Sequence, residues 1–223
     1  MNISHHFDDA TLISYSSGSL PQGMALLVAS HLHWCPECRV RTEETDTIGG
    51  ALLDALAPVA LADDALEQLL ARLDAVEAEP APAPAPIPAP VQKNDSDDEL
   101  PAPLAAVLGQ PIEALPWRRV GYGVQQVDLG LEGPGATRLL RIQPGISVPH
   151  HTHRGNELTL ILRGSYTDEV GRFQRGDVAD VDTEVQHQPI VDTDQECICL
   201  IATDAPLKFS GLIGRLAQPF IGL

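Results

Sequence analysis

Residues 145–164 read GISVPHHTHRGNELTLILRG, and the placing of their histidines decides what the second half of the chain is. In an extended strand, residues two apart face one side, so His151 and His153 project together while His150 turns away. Gly145 and Gly164 stand at the two ends, and the sharp turns they allow bring Glu157 back toward the histidine pair.

Working outward, the same texture continues. The runs RLLRI, ELTLIL, DVADV and CICLIA are separated by turns containing Gly or Pro. A spacing of roughly ten residues between such runs is that of an all-β sandwich or barrel. Toward the N-terminus the pattern breaks at residues 80–90, PAPAPAPIPAP. Proline fixes φ and lacks an amide donor, so this run favours extended polyproline II and cannot join a packed element. The polar QKNDSDDEL that follows prolongs it, and residues 80–101 read as a linker between a domain at 1–79 and one at 102–223.

Residues 1–79 read as helical. Asp8 or Asp9 can cap a short helix carrying Leu12 and Ile13 and ending near Gly18. A second helix is expected from about Pro21 through Met24, Leu27, Val28 and His31 to Cys35. A third carries Ile48, Leu52, Leu53 and Leu56 up to Pro58. The fourth, DDALEQLLARLDAVEAE, lines up Leu66, Leu69, Leu70, Leu73 and Val76 opposite an acidic face, a stripe suited to packing on a partner.

The chain carries 31 acidic and 14 basic residues, a formal charge of −17 over 223 residues. Residues 1–79 hold 13 acidic and 3 basic side chains, whereas residues 102–223 hold 14 and 10. Direct binding of nucleic acid is therefore not expected, because phosphate contacts need a net basic face, and a basic protein partner fits better. No window reaches the 18 or so consecutive apolar residues of a membrane span, and no basic segment followed by an apolar run marks a secretory signal. A cytoplasmic chain is expected, with its four cysteines reduced.

HLHWCPECR, residues 31–39, concentrates soft donors. On a helix, His31 and Cys35 are four apart and share a face, and Cys38 lies on that face or opens the next helix after Pro36. His33 points nearly the opposite way. Three such donors make an incomplete set for a structural zinc site, which is four-coordinate, and His5 and His6 are the candidates for the fourth. A redox Cys-x-x-Cys pair would instead put the first cysteine at the start of a helix after a strand, a context absent here.

Both stretches resemble known families. Residues 145–164 match the first cupin motif, G-x5-H-x-H-x3-E-x6-G, without a gap. That resemblance implies a jelly-roll barrel with His151, His153 and Glu157 as metal ligands. A surface role for two strand histidines is the plainer alternative, and the full match argues against it. Residues 176–187, GDVADVDTEVQH, resemble the second motif and offer His187 as the fourth ligand, although Asp182-Thr183-Glu184 replaces its P-x-G. Three imidazoles and a carboxylate suit several divalent metals, with zinc the first expectation. The pattern HH, then His-x3-Cys-x2-Cys, is similar to the zinc-binding anti-sigma domain, in which the second histidine of the doublet is the ligand, here His6.

Together with CICLIATDAPLKF and QPF, nearly the whole chain resembles the ChrR family. This implies an α+β multidomain protein: a small all-α zinc-binding domain, with His6, His31, Cys35 and Cys38 as ligands, followed by an all-β cupin barrel. It further implies a negative regulator of transcription, not an enzyme. Such a regulator sequesters an extracytoplasmic-function (group IV) sigma factor and releases it under oxidative stress, from singlet oxygen or derived peroxides. The alternative is a cupin-type metal-dependent dioxygenase with a regulatory N-terminal domain. Cys197 and Cys199 share one side of a strand, poorly placed for a mutual disulfide; oxidisable thiols and small wall residues are both open readings.

Overall fold

The computed structural model describes residues 2–75, 99–148, 151–152, 155–181, 187–205 and 208–209. The proline-rich run expected to be a linker lies outside them, as do Val76, His153 and the Asp182-Thr183-Glu184 departure from the second motif.

Helix α1 (Asp9–Ser16) begins where Asp8 accepts the Thr11 amide at 2.6 Å. Helix α2 (Gln22–Trp34) follows Pro21 and ends at Cys35, whose extended backbone (φ −94°, ψ 107°) turns the chain directly into α3 (Pro36–Asp54). Pro36 sits in the first turn of α3, where its missing amide costs nothing. The third helix thus starts at the Cys-x-x-Cys stretch and runs longer than its apolar residues suggested, ending before Leu56. Helix α4 (Ala65–Ala75) and α5 (Ala102–Leu108) complete the α-helices among the described residues.

The strands are β1 (Arg118–Gly121), β2 (Val124–Asp128), β3 (Ala136–Ile142), β4 (His151–Thr152), β5 (Glu157–Arg163), β6 (Ser165–Thr167), β7 (Arg172–Gln174), β8 (Val178–Val181), β9 (Ile190–Val191), β10 (Cys197–Thr203) and β11 (Lys208–Phe209). They form a six-stranded sheet in the order β1-β2-β3-β10-β5-β8, a three-stranded sheet β7-β6-β9 and the pair β11-β4. Every pairing among them is antiparallel. At the junction of β5 and β6, Gly164 has φ +72°, and a side chain there would also strike the Glu196 carbonyl. The bracketing glycine is required twice over.

At β3, β10, β5 and β8 the six-stranded sheet is buried on both faces. Ile161, Tyr166, Phe173, Val181, Cys199 and Ile201 pack together inside the barrel. On the other face Leu158, Leu160, Ile198 and Leu200 pack against Met24, Leu27 and Val28 of α2, with Leu104 of α5. Unbroken apolar runs such as CICLIA are what a doubly covered strand requires, in place of strict alternation. Helix α2 reaches the sheet at Gly23, where an added Cβ would collide with the Thr137 side chain of β3. The leucines of α3 and α4 contribute nothing to this core: Ile48, Leu52, Leu53, Leu66, Leu69, Leu70 and Leu73 are each more than half exposed. No described helix is long and apolar enough to cross a membrane.

Candidate metal centre

The N-terminal donors converge. One donor atom from each of His6, His31, Cys35 and Cys38 lies within 4.8 Å of every other. His6 comes from the extended segment before α1, His31 from the last turn of α2, Cys35 from the α2–α3 corner and Cys38 from the first turn of α3. His31 Nε2 is 3.3 Å from Cys38 Sγ; His6 Nδ1 is 3.3 Å from Cys35 Sγ and 3.6 Å from Cys38 Sγ. A tetrahedral zinc with bonds of about 2.1 Å to nitrogen and about 2.3 Å to sulfur separates its nitrogen and sulfur donors by about 3.6 Å.

The protonation pattern fits as well. A backbone carbonyl only accepts, so His31 Nδ1, 2.9 Å from the Gly176 carbonyl, must carry the proton, leaving Nε2 bare toward the cysteines. His6 presents Nδ1 to the sulfurs while its Nε2 lies 3.3 Å from the Glu37 carboxylate, the outer contact that orients a ligating imidazole. Burial lowers His31 to about 4, so it is neutral at physiological pH. Burial also pushes the Cys38 thiol up to about 11, so a thiolate there needs a cation beside it. Cys35 Sγ takes the Cys38 amide at 3.4 Å, at the positive end of α3.

The doublet separates cleanly. His5 turns toward Asp177, with Nδ1 3.3 Å from Oδ2, and lies over Phe173 at a ring separation of 4.3 Å. His33 is exposed, on the side of α2 away from the tetrad.

In the barrel, Glu157 opens β5 and His187 precedes β9, and both are buried. His187 Nδ1 lies 2.9 Å from Asp168 Oδ2, which leaves Nε2 as its other donor. Asp168, which sequence reasoning missed, is pushed up by burial. The hydrogen bonds from His187 and from the Gly171 and Val170 amides outweigh that and hold it below the usual carboxylate range. Its signal in the sequence was a turn-forming Asp three residues before a glycine. Of the histidine pair, only the His151 backbone is described, paired with Phe209. Among the described residues, the N-terminal set alone brings four donors together. Cys197 and Cys199 are buried on the interior side of β10; their mutual hydrogen bond, with burial, pushes the Cys199 thiol well above its ordinary value.

Burial raises Glu157 from 4.5 to about 7, against the opposing pull of His187 and the Thr159 hydroxyl. Between those values the unfolded chain binds fewer protons than the folded one, so stability falls as pH rises through the window, and the loss is complete above it. In chelator-treated protein, Glu157→Gln is expected to stabilise by about 2–3 kcal/mol at pH 8 and by under about 1 kcal/mol at pH 5. Urea unfolding at the two pH values checks this; an equal gap at both contradicts it.

The ChrR cupin-like domain family matches residues 107–206. The anti-sigma-E factor ChrR of Cereibacter sphaeroides is 43% identical over 220 residues, 99% of each chain. The crystal structure of Rhodobacter sphaeroides SigE in complex with the anti-sigma ChrR aligns with a TM-score of 0.73 at 39% identity, covering 91% of this chain and 100% of that one. The helical half and the cupin barrel expected from sequence are both borne out by that likeness.

Proposed function

Since the chain belongs to the ChrR family of anti-sigma factors, we propose that it sequesters an extracytoplasmic-function sigma factor through its helical domain and so represses transcription. The observation that carries this is the likeness along the whole chain to a protein named an anti-sigma factor, and to an anti-sigma ChrR crystallised in complex with SigE. The regulatory name also favours this reading over a cupin-type dioxygenase.

Two features of the chain support it. Leu52 and Leu53 of α3 and Leu66, Leu69, Leu70 and Leu73 of α4 leave apolar side chains open to solvent, of the kind that partners cover. The surrounding charge is strongly acidic, which complements the basic DNA-binding face of a sigma factor.

His6, His31, Cys35 and Cys38 hold a structural zinc in this reading, a closed tetrahedral site that fixes the α2–α3 corner and the N-terminal arm. The division of labour follows 1–79, 80–101 and 102–223. The barrel holds a second divalent metal through His151, His153, Glu157 and His187, with zinc favoured. It detects oxidative stress, from singlet oxygen or derived peroxides, and triggers release of the sigma factor. A sigma factor works in the cytoplasm, and the chain is assigned there. Purification of the tagged chain from its host, with metal analysis, is expected to give one sigma factor per chain and at least one zinc. Zinc-free chain in stable complex with sigma contradicts the assignment.

A further inference from the structure

The carboxylate of Asp177 does something that neither set of metal ligands accounts for. It stands in the turn between β7 and β8 and is fully buried. One oxygen takes the Gln174 amide at 3.0 Å, closing the turn itself. The other takes the amides of Ser4 at 2.7 Å and His5 at 3.1 Å, and the Val178 amide is 3.4 Å from the His5 carbonyl. The chain is thereby pinned one residue before His6. Gly176, in the same turn, supplies the carbonyl that fixes the His31 ring. Further along β8, Asp180 accepts the Thr11 hydroxyl at 2.8 Å and the Asp8 amide at 3.4 Å.

Both imidazoles of the tetrad are thus set by one turn of the barrel domain, whereas both sulfurs belong to the α2–α3 corner. Strand β8 has two faces in use: Ala179 and Val181 pack inside the barrel, and Val178 and Asp180 meet the helical domain. Val181 also pairs with Glu157 of β5. A buried carboxylate stripped of its partners is costly, so Asp177 keeps the N-terminal arm in place as long as the turn keeps its position.

We propose that the Gly176–Asp177 turn is a latch through which the barrel domain completes the His6–His31 half of the metal site, so that displacement of β8 loosens the metal and the helical surface built on it. This rests on reading the tetrad as a metal site. Asp177 acts here as a positioning residue, through Ser4 and His5.

The test uses the full chain loaded with cobalt(II), whose thiolate charge-transfer band reports the cysteine-containing site. In Asp177→Ala, loss of cobalt to a chelator is expected to be about tenfold faster or more, with weaker d–d absorption as the four-coordinate set gives up His6. Ser4→Pro removes the amide donor and the 3.4 Å hydroxyl contacts to Asp177 at an exposed position without touching the core, and is expected to speed the loss a few-fold. Wild-type rates and spectra in both variants overturn the latch, and Ser4→Pro alone decides if Asp177→Ala does not fold. A wild-type chain without the charge-transfer band overturns the metal reading and the latch together. A chain that holds cobalt, loosens in the variants and still binds no sigma factor leaves the latch standing and removes the anti-sigma reading alone.

Discussion

Replacing Cys38 with alanine is expected to remove the zinc proposed for the N-terminal tetrad and weaken sigma binding by at least about 100-fold, and Cys35→Ala should do the same. The reason is the position of the two sulfurs. Cys35 caps both the end of α2 and the start of α3, and Cys38 lies in the first turn of α3. Structural zinc contributes on the order of 10 kcal/mol to small domains of this kind. Without it, a buried imidazole and a buried thiol face each other with no ion to organise them, and the corner that orients α3 loses its anchor. The variant keeps the α2 face that packs on the barrel, so the chain is expected to remain folded in its β half. His33→Ala, two residues from Cys35 on the exposed side, is the matched control and should alter neither metal content nor affinity. Metal analysis and titration against the sigma factor measure both quantities; a zinc-free cysteine variant that binds at full strength contradicts the account.

The second large effect is expected on α4. Leu69 and Leu70 are 52% and 51% exposed, and Leu66 and Leu73 are more so. An apolar row left open to this extent contributes little to the stability of the free chain, yet each leucine adds about 1–2 kcal/mol when a partner buries its exposed part. Leu70→Asp is therefore expected to weaken sigma binding by about 2–4 kcal/mol, roughly 30- to 1000-fold, while leaving zinc content and thermal stability within error of wild type. Calorimetric titration and a melting curve on the same sample separate the two. Unchanged affinity, or a loss matched by a fall in melting temperature, contradicts the assignment of this face.

The contrast between these residues and the core shows what the sequence could convey. The Asp8 cap, the break at Cys35 and the reversal at Gly164 depend on local backbone chemistry, and each is found where local rules put it. The i, i+4 relation of His31 and Cys35 likewise holds on any helix. The choice between His5 and His6 depended on resemblance, because an extended arm carries no periodicity to say which imidazole faces inward. The contacts that make that choice, with Asp177 and with Glu37, are a tertiary matter: Asp177 lies 172 residues from His5.

The packing of α2 on the sheet was hidden for a different reason. Met24, Leu27 and Val28 form an apolar face whose partner no single-helix pattern can name. The clue was on the other side of the contact, in the β10 run CICLIA, which is apolar at every position. Asp168 and Asp177 were passed over because turn-forming aspartates are common, and what distinguishes these two is burial, which composition does not report. The apolar stripe of α4 was visible at once, but a stripe looks the same whether the chain's own core or a partner covers it.

Repression of a sigma factor by this chain is tested most directly by one measurement. Transcription from a promoter dependent on the extracytoplasmic-function sigma factor is followed in a purified system while zinc-loaded chain is added in increasing amounts. Transcript should decline in proportion to added chain and vanish near one chain per sigma factor, with the Cys35→Ala, Cys38→Ala double variant leaving it untouched. Undiminished transcription in the presence of a several-fold excess of zinc-loaded chain would contradict it.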